Sequence, residues 1–143
     1  MFEDLRGYLS HLEEQGQLLR VKEEVDVKFD IAAGIRKTSD VEGPALLFEN
    51  VKGFPGWCVL GGLFATRKLV ALGLGVSQEQ MLERYLTLED KRIPPETVSS
   101  GPVKEIKWTG AQVDLGKLPI VTHASKDCGP YVTIGVQVGK DPD

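Results

Sequence analysis

The chain changes its hydrophobic rhythm once, at Ile93-Pro94-Pro95, and that change constrains the fold more than any other feature. Before it, apolar residues recur at helical spacing or gather in short runs bounded by glycine and proline; after it, they alternate at period two. Proline cannot continue a helix and biases the residue before it toward extended structure, so a helical pattern must stop here. Residues 92–102, rich in Pro, Ser and Gly, read as a linker between a first domain, residues 1–100, and a second segment, residues 101–143.

Within the first part, Leu5, Tyr8, Leu9 and Leu12 fall at i, i+3, i+4 and i+7 and predict an amphipathic helix that Gly16 ends. Gln17–Val21 reads as a short strand. A second helix is expected from about Asp30 to Ser39, with Ile31, Ala32 and Ile35 facing inward. Gly43-Pro44 then breaks the chain before the apolar run Ala45-Leu46-Leu47-Phe48, and Lys52–Gly56 turns it into Trp57-Cys58-Val59-Leu60. These two runs are expected to lie side by side in one sheet, with Cys58 a small buried core residue. Thr66-Arg67-Lys68 opens a third helix that ends near Gly73 to Gly75. Ser77-Gln78-Glu79-Gln80 has the S-x-x-Q form of a capping box and predicts a fourth helix through about Leu88, with Met81, Leu82, Tyr85 and Leu86 inward. Helices alternating with short strands predict an α/β domain.

The second segment reads as β structure. Val103–Trp108 alternates, and Tyr131–Val138 alternates between a Gly129-Pro130 turn and Gly139-Lys140-Asp141-Pro142. A strand of this kind needs a neighbour for its free backbone edge, and no return strand follows before Asp143. The chain is therefore expected to be the N-terminal portion of a larger protein.

Composition narrows the function classes. Hydrophobic residues at 41% and charged residues at 27% are ordinary globular usage, which argues against a disordered, collagenous or disulfide-built chain. The longest apolar runs, such as Leu69-Val70-Ala71-Leu72, fall far short of a membrane span. Met1-Phe2-Glu3-Asp4 is acidic where a leader would be basic, so a cytoplasmic protein without membrane partners is expected. Residues 1–50 carry 6 Lys+Arg against 11 Asp+Glu, and residues 51–143 carry 11 against 10. An acidic first third without a basic stripe is a poor footprint for nucleic acid. Cys58 and Cys128 lie in different elements with no Cys or His at ligand spacing, so no metal site is expected.

Few residues invite chemistry individually. Gly61-Gly62, after a strand and before a helix, suggests a phosphate loop, but the stretch through Lys68 fits neither glycine-rich phosphate motif and reads more simply as structural. The pairs Arg67-Lys68 and Lys91-Arg92 read as solvated surface. His123 and Asp127 could form an acid/base pair; the plainer reading is a loop in which Asp127 makes an Asx-turn over Gly129-Pro130. If residues 131–138 form a strand, Tyr131, Thr133 and Gly135 share one face and Val132, Ile134 and Val136 the other.

Taken in order, several of these stretches carry a resemblance. Asp4-Leu5-Arg6-Gly7-Tyr8-Leu9 with Gly16-Gln17-Leu18, Val25-Asp26, and Pro44-Ala45-Leu46-Leu47-Phe48-Glu49-Asn50-Val51-Lys52-Gly53 are followed by Leu118-Pro119-Ile120 and Asp127-Cys128-Gly129-Pro130-Tyr131-Val132-Thr133 before Asp141-Pro142. Across essentially the whole chain this order resembles the UbiD-type (de)carboxylases that use prenylated flavin mononucleotide (FMN). Cys128 departs from it, standing where a small residue such as Gly or Ala is expected.

The resemblance implies an α/β N-terminal domain followed by the first strands of a split β-barrel flavin-binding domain, with a C-terminal oligomerisation domain beyond. It implies a reversible, non-oxidative decarboxylase of an aromatic or α,β-unsaturated carboxylic acid, a homo-oligomer, with Mn2+ and K+ bridging the phosphate of prenylated FMN. It assigns Thr133 to cofactor binding, with His123, Asp127 and Tyr131 as a possible pocket rim. It places the metal ligands and the catalytic carboxylates after Asp143, so no catalytic residue is expected within these residues and the chain alone is expected to be inactive. The alternative from another class is a noncatalytic α/β binding or assembly module that pairs with a separate subunit.

Overall fold

In the computed structural model, residues 2, 4–91 and 93–135 are described, and they begin with the expected helix, α1 (Leu5–Glu14). Its first turn is capped by Asp4, whose Oδ1 accepts from Gly7 N at 2.8 Å, and its apolar stripe turns Tyr8 and Leu12 into the core while Leu5 stays outside. Strand β1 (Leu18–Val21) follows, then α2 (Asp30–Asp40), β2 (Ala45–Phe48), β3 (Val59–Gly61), α3 (Arg67–Leu74) and α4 (Met81–Glu89).

The three strands form one sheet in the order β1-β2-β3. β1 runs parallel to β2, pairing Leu18 with Ala45 and Val21 with Phe48, which is why a helix, α2, is needed to carry the chain between them. β3 returns antiparallel, pairing Phe48 with Val59 and Leu46 with Gly61. Period two then sorts the side chains into two cores. Ala45 and Leu60 meet Tyr8, Leu12, Leu63 and Leu69 on one face; Leu46, Phe48 and Val59 meet Ile31, Ile35 and Val51 on the other.

Two glycines set how closely α2 approaches the sheet. A Cβ on Gly61 would run into the Ile35 side chain, and one on Gly34 would stand 3.3 Å from the Phe48 ring. The entry to α2 is tied down by Asp26, whose Oδ1 accepts from Lys28 N at 2.9 Å and whose Oδ2 meets Lys52 Nζ at 3.3 Å. The Lys28 N–H first, and then Lys52, hold the Asp26 carboxyl below its usual range.

α3 is capped at both ends as its sequence implies, by Thr66 Oγ1 accepting from Leu69 N at 3.2 Å and by Gly75 at φ 68°. α4 departs from expectation twice. Gln80 Oε1 does accept from Ser77 N at 3.3 Å, but Gln80 N bonds back to Ser77 O, so Ser77–Gln80 closes a separate turn and the helix starts at Met81. Its half-buried residues are Met81, Arg84 and Leu88, while Leu82, Tyr85 and Leu86 are 70%, 60% and 53% exposed rather than inward. Among the described residues, α3 is the element packed most closely against α4, so a helix with a wide apolar arc buries one side of it.

The second segment differs more. Val103–Trp108 is not a strand: Pro102–Lys104 makes a single 3-10 turn and Val103 and Ile106 are exposed. Proline at the head of a helical turn supplies a preset φ, and no strand lies alongside among the described residues to reward the alternating pattern. Tyr131–Gly135 is likewise not a strand, with a turn at Thr133-Ile134, and the remainder of that expected strand, Val136–Val138, lies outside the described residues. The one sheet described is the open three-stranded sheet of the first domain, and the barrel strands expected after the linker are not formed among the described residues.

The chain nevertheless comes back to the first domain. Val121 is buried with Ile31, Leu46, Phe48 and Val51 beneath α2, and Thr122 forms a parallel bridge with Lys28. No helix among the described residues is long and apolar enough to cross a membrane.

Candidate functional site

That return creates a cleft of about 840 Å³ at the edge of the sheet. One wall is α2, where Ala32, Ile35, Arg36 and Ser39 recur at i, i+3, i+4 and i+7 and so share a face. The second is the edge of the sheet, Trp57 through Gly62, where β3 has a neighbour on one side only among the described residues. The third is the second segment, with Leu118–Val121, His123 and Tyr131–Ile134. The lining is largely apolar, with an aromatic side chain on each of the last two walls, the general character of a site for a flat organic ligand.

Its polar groups are few. Arg36 pairs with Asp40 on its own helix, Nη2 to Oδ1 at 2.9 Å and Nε to Oδ2 at 3.1 Å, so its charge is already balanced. His123 Nδ1 is buried with no hydrogen-bond partner among the described residues, and the ring lies 4.4 Å from that of Tyr131 at 30°. Thr133 lines the same space.

Of the residues singled out in the sequence, the cleft brings together His123, Tyr131 and Thr133 but not Asp127. Asp127 lines a shallow outer hollow of residues 126–131. Its Oδ2 accepts from Ala124 N at 2.7 Å and its N–H donates to Ala124 O at 3.2 Å, so it closes a turn behind itself instead of over Gly129-Pro130 and does not pair with His123. Thr133 shares the cleft with Val132 and Ile134 as well as Tyr131, because the turn at Thr133-Ile134 abolishes the two-faced alternation of a strand.

Cys58 is exposed and lines the cleft, contrary to its expected place in the core. The strand starts one residue later, at Val59, and so Cys58 lacks a neighbour to cover it. Trp57 and Arg36 were passed over in the sequence. The helical stripe containing Ala32 and Ile35 pointed to Arg36, whereas nothing in Gly56-Trp57-Cys58 distinguished an edge from a core strand. Gly61-Gly62 is structural: Gly61 admits Ile35, and α3 begins only at Arg67, leaving no helix terminus beside the glycines. Among the described residues, no three His, Cys, Asp or Glu side chains are grouped to hold a metal.

Fold and cleft together define an α/β domain whose sheet edge, with a returning segment, frames an apolar cleft. The chain belongs to the UbiD family of carboxy-lyases. The profile of the 3-octaprenyl-4-hydroxybenzoate carboxy-lyase N-terminal domain matches residues 9–89, and that of the Rift-related domain of the same enzymes matches residues 96–143. Among solved structures, an evolved dimeric form of the UbiD-class enzyme HmfF from Pelotomaculum thermopropionicum, in complex with prFMN, is 39% identical at a TM-score of 0.78, over 90% of this chain and 30% of that one. The closed form of vanillic acid decarboxylase from Sedimentibacter hydroxybenzoicus is 30% identical at 0.78, over 92% and 29%. The apo 3,4-dihydroxybenzoic acid decarboxylase from Enterobacter cloacae is 29% identical at 0.79, over 89% and 29%. The chain thus spans about 30% of the length of these relatives.

Proposed function

We propose that this chain is the N-terminal part of a cytoplasmic, homo-oligomeric carboxy-lyase that removes or adds carbon dioxide on an aromatic or α,β-unsaturated carboxylic acid with prenylated FMN. Residues 1–100 make up its α/β domain and residues 101–143 open its flavin domain. The observation that carries the reading is the single cleft in which Thr133, Tyr131 and His123 meet the α2 and β3 walls.

The residues present fit one end of the cofactor. Trp57, Ile35 and Tyr131 offer apolar surface for a ring system, and the Thr133 hydroxyl offers a hydrogen bond to its polar edge. They do not fit the phosphate end: Arg36 is paired with Asp40, and no metal-ligand group occurs among the described residues. In this proposal the Mn2+ and K+ sites, and the carboxylates that move the proton, are supplied by the rest of the enzyme. When bound, prenylated FMN supplies an electron sink for the pair released as carbon dioxide leaves. This chain's part is to seat the ring, exclude water with its apolar walls and present one hydroxyl at Thr133.

Thr133→Val in the full-length enzyme tests the assignment, since it keeps the side chain's shape and removes the hydroxyl. Weaker flavin retention or slower turnover, with the thermal stability of the apoprotein unchanged, is expected; wild-type retention and turnover would return Thr133 to a purely structural role.

A further inference from the structure

Val121 is held from three directions. Its side chain is 7% exposed in the core beneath α2. The next residue, Thr122, donates its N–H to Val27 O at 3.0 Å and accepts from Phe29 N at 3.2 Å. The Val121 carbonyl accepts from Tyr131 N at 3.0 Å, closing the base of the loop between them. The tilted rings of His123 and Tyr131 lie 4.4 Å apart beside it, and Thr133 lies two residues on.

The first domain also bears strain at this point. Phe29, the N-cap of α2, has φ 80° and ψ −36°, a conformation that a bulky residue holds only when its surroundings impose it. Both of its backbone groups are engaged, the N–H by Thr122 O and the carbonyl by Ala33 N at 2.7 Å. The entry of α2 and the return of the second segment are thus fixed to each other through one short stretch of backbone.

We propose that Val121 is a positioning residue for the cleft. Seated in the core behind α2 and carrying Tyr131 on its carbonyl, it sets the separation between the Tyr131–Ile134 wall and the walls made by α2 and β3. It thereby aims Thr133 at a bound flavin, a step that rests on the cofactor assignment above. Loosening the seat lets one wall drift from the others while each stays internally intact, and small displacements of a positioning group are felt strongly in binding and turnover.

The experiment compares Val121→Ala, Val121→Ile and Leu69→Ala in the full-length enzyme, each held at the same margin below its own Tm. Leu69 is fully buried in the core on the opposite face of the sheet, so Leu69→Ala reports loss of packing without disturbing the seat. One readout is amide hydrogen exchange of the apoprotein at Phe29, Thr122 and Tyr131; the other is retention of prenylated flavin through gel filtration, read by visible absorbance. Val121→Ala is expected to exchange roughly tenfold faster than Leu69→Ala at those three amides and to lose roughly tenfold more flavin, and Val121→Ile to restore both. Equal behaviour of the two alanine variants, or faster exchange with retention intact, overturns the proposal. If the wild-type enzyme retains no flavin, the cofactor assignment fails and the aim at Thr133 falls with it, while the exchange comparison still decides whether Val121 holds the wall.

Discussion

At the scale of single residues, the buried polar contacts give the sharpest expectations. Tyr8 donates its hydroxyl to Leu69 O at 2.7 Å across the first core, joining α1 to α3, and burial pushes its pKa up. Tyr8→Phe should therefore destabilise the protein by about 0.5–1.5 kcal/mol, measurable by urea denaturation. Asp26 gives a pH expectation. Its folded carboxyl sits below the unfolded value, so its contribution is complete above the ordinary carboxylate range and is lost as pH falls through the folded value. In acid titrations followed by circular dichroism, Asp26→Asn should be the less stable protein near neutrality, with the gap closing as pH falls below the ordinary carboxylate range. Legibility was uneven at this scale. The family resemblance singled out His123, Tyr131 and Thr133, and the structure lines one cleft with all three. The sequence pattern misplaced Cys58 and turned Asp127 the wrong way, because exposure and turn direction depend on neighbours remote in sequence.

At the scale of elements, the contrast between α1 and α4 shows what periodicity does and does not encode. Both carry apolar stripes, yet α1 lies in a core with Leu12 fully buried, whereas α4 has no buried residue. Leu12→Ala should cost about 2–5 kcal/mol, and Leu86→Gln less than about 0.5 kcal/mol; equal losses in thermal denaturation would contradict the packing described. Periodicity announces a face that can be buried, and only the partner decides whether it is. The same reasoning explains the missing strands after Pro102: alternation was present, but pairing requires a neighbour that the described residues do not supply. Where the neighbours are local, as in β2 and β3, the sheet matched the pattern closely. The tight approach of α2 makes Gly61→Ala a test of that layer, with an expected loss of about 1–3 kcal/mol from overpacking against Ile35.

At the scale of the whole molecule, the sheet has one core closed by local elements and another that is closed partly by a distant segment. The core containing Tyr8, Leu12 and Leu69 is complete by α3, whereas the core beneath α2 includes Val121. A fragment of residues 1–100 should therefore fold with α1 and α3 protected from hydrogen exchange and α2 exchanging faster than in the longer chain; equal protection of α2 in both would show that Val121 adds nothing to that core. The α/β character of the first domain and its helix positions were legible because they arise from local pattern, but this long-range closure was not, since Leu118-Pro119-Ile120-Val121 looks like any short apolar run. Its placement has a consequence during synthesis. Val121 leaves the ribosome about 70 residues after Phe48, an interval of roughly 4–15 s at ordinary elongation rates. For those seconds the core beneath α2 lacks Val121 on the nascent polypeptide, so a pause of translation within the interval would prolong an incompletely covered apolar surface.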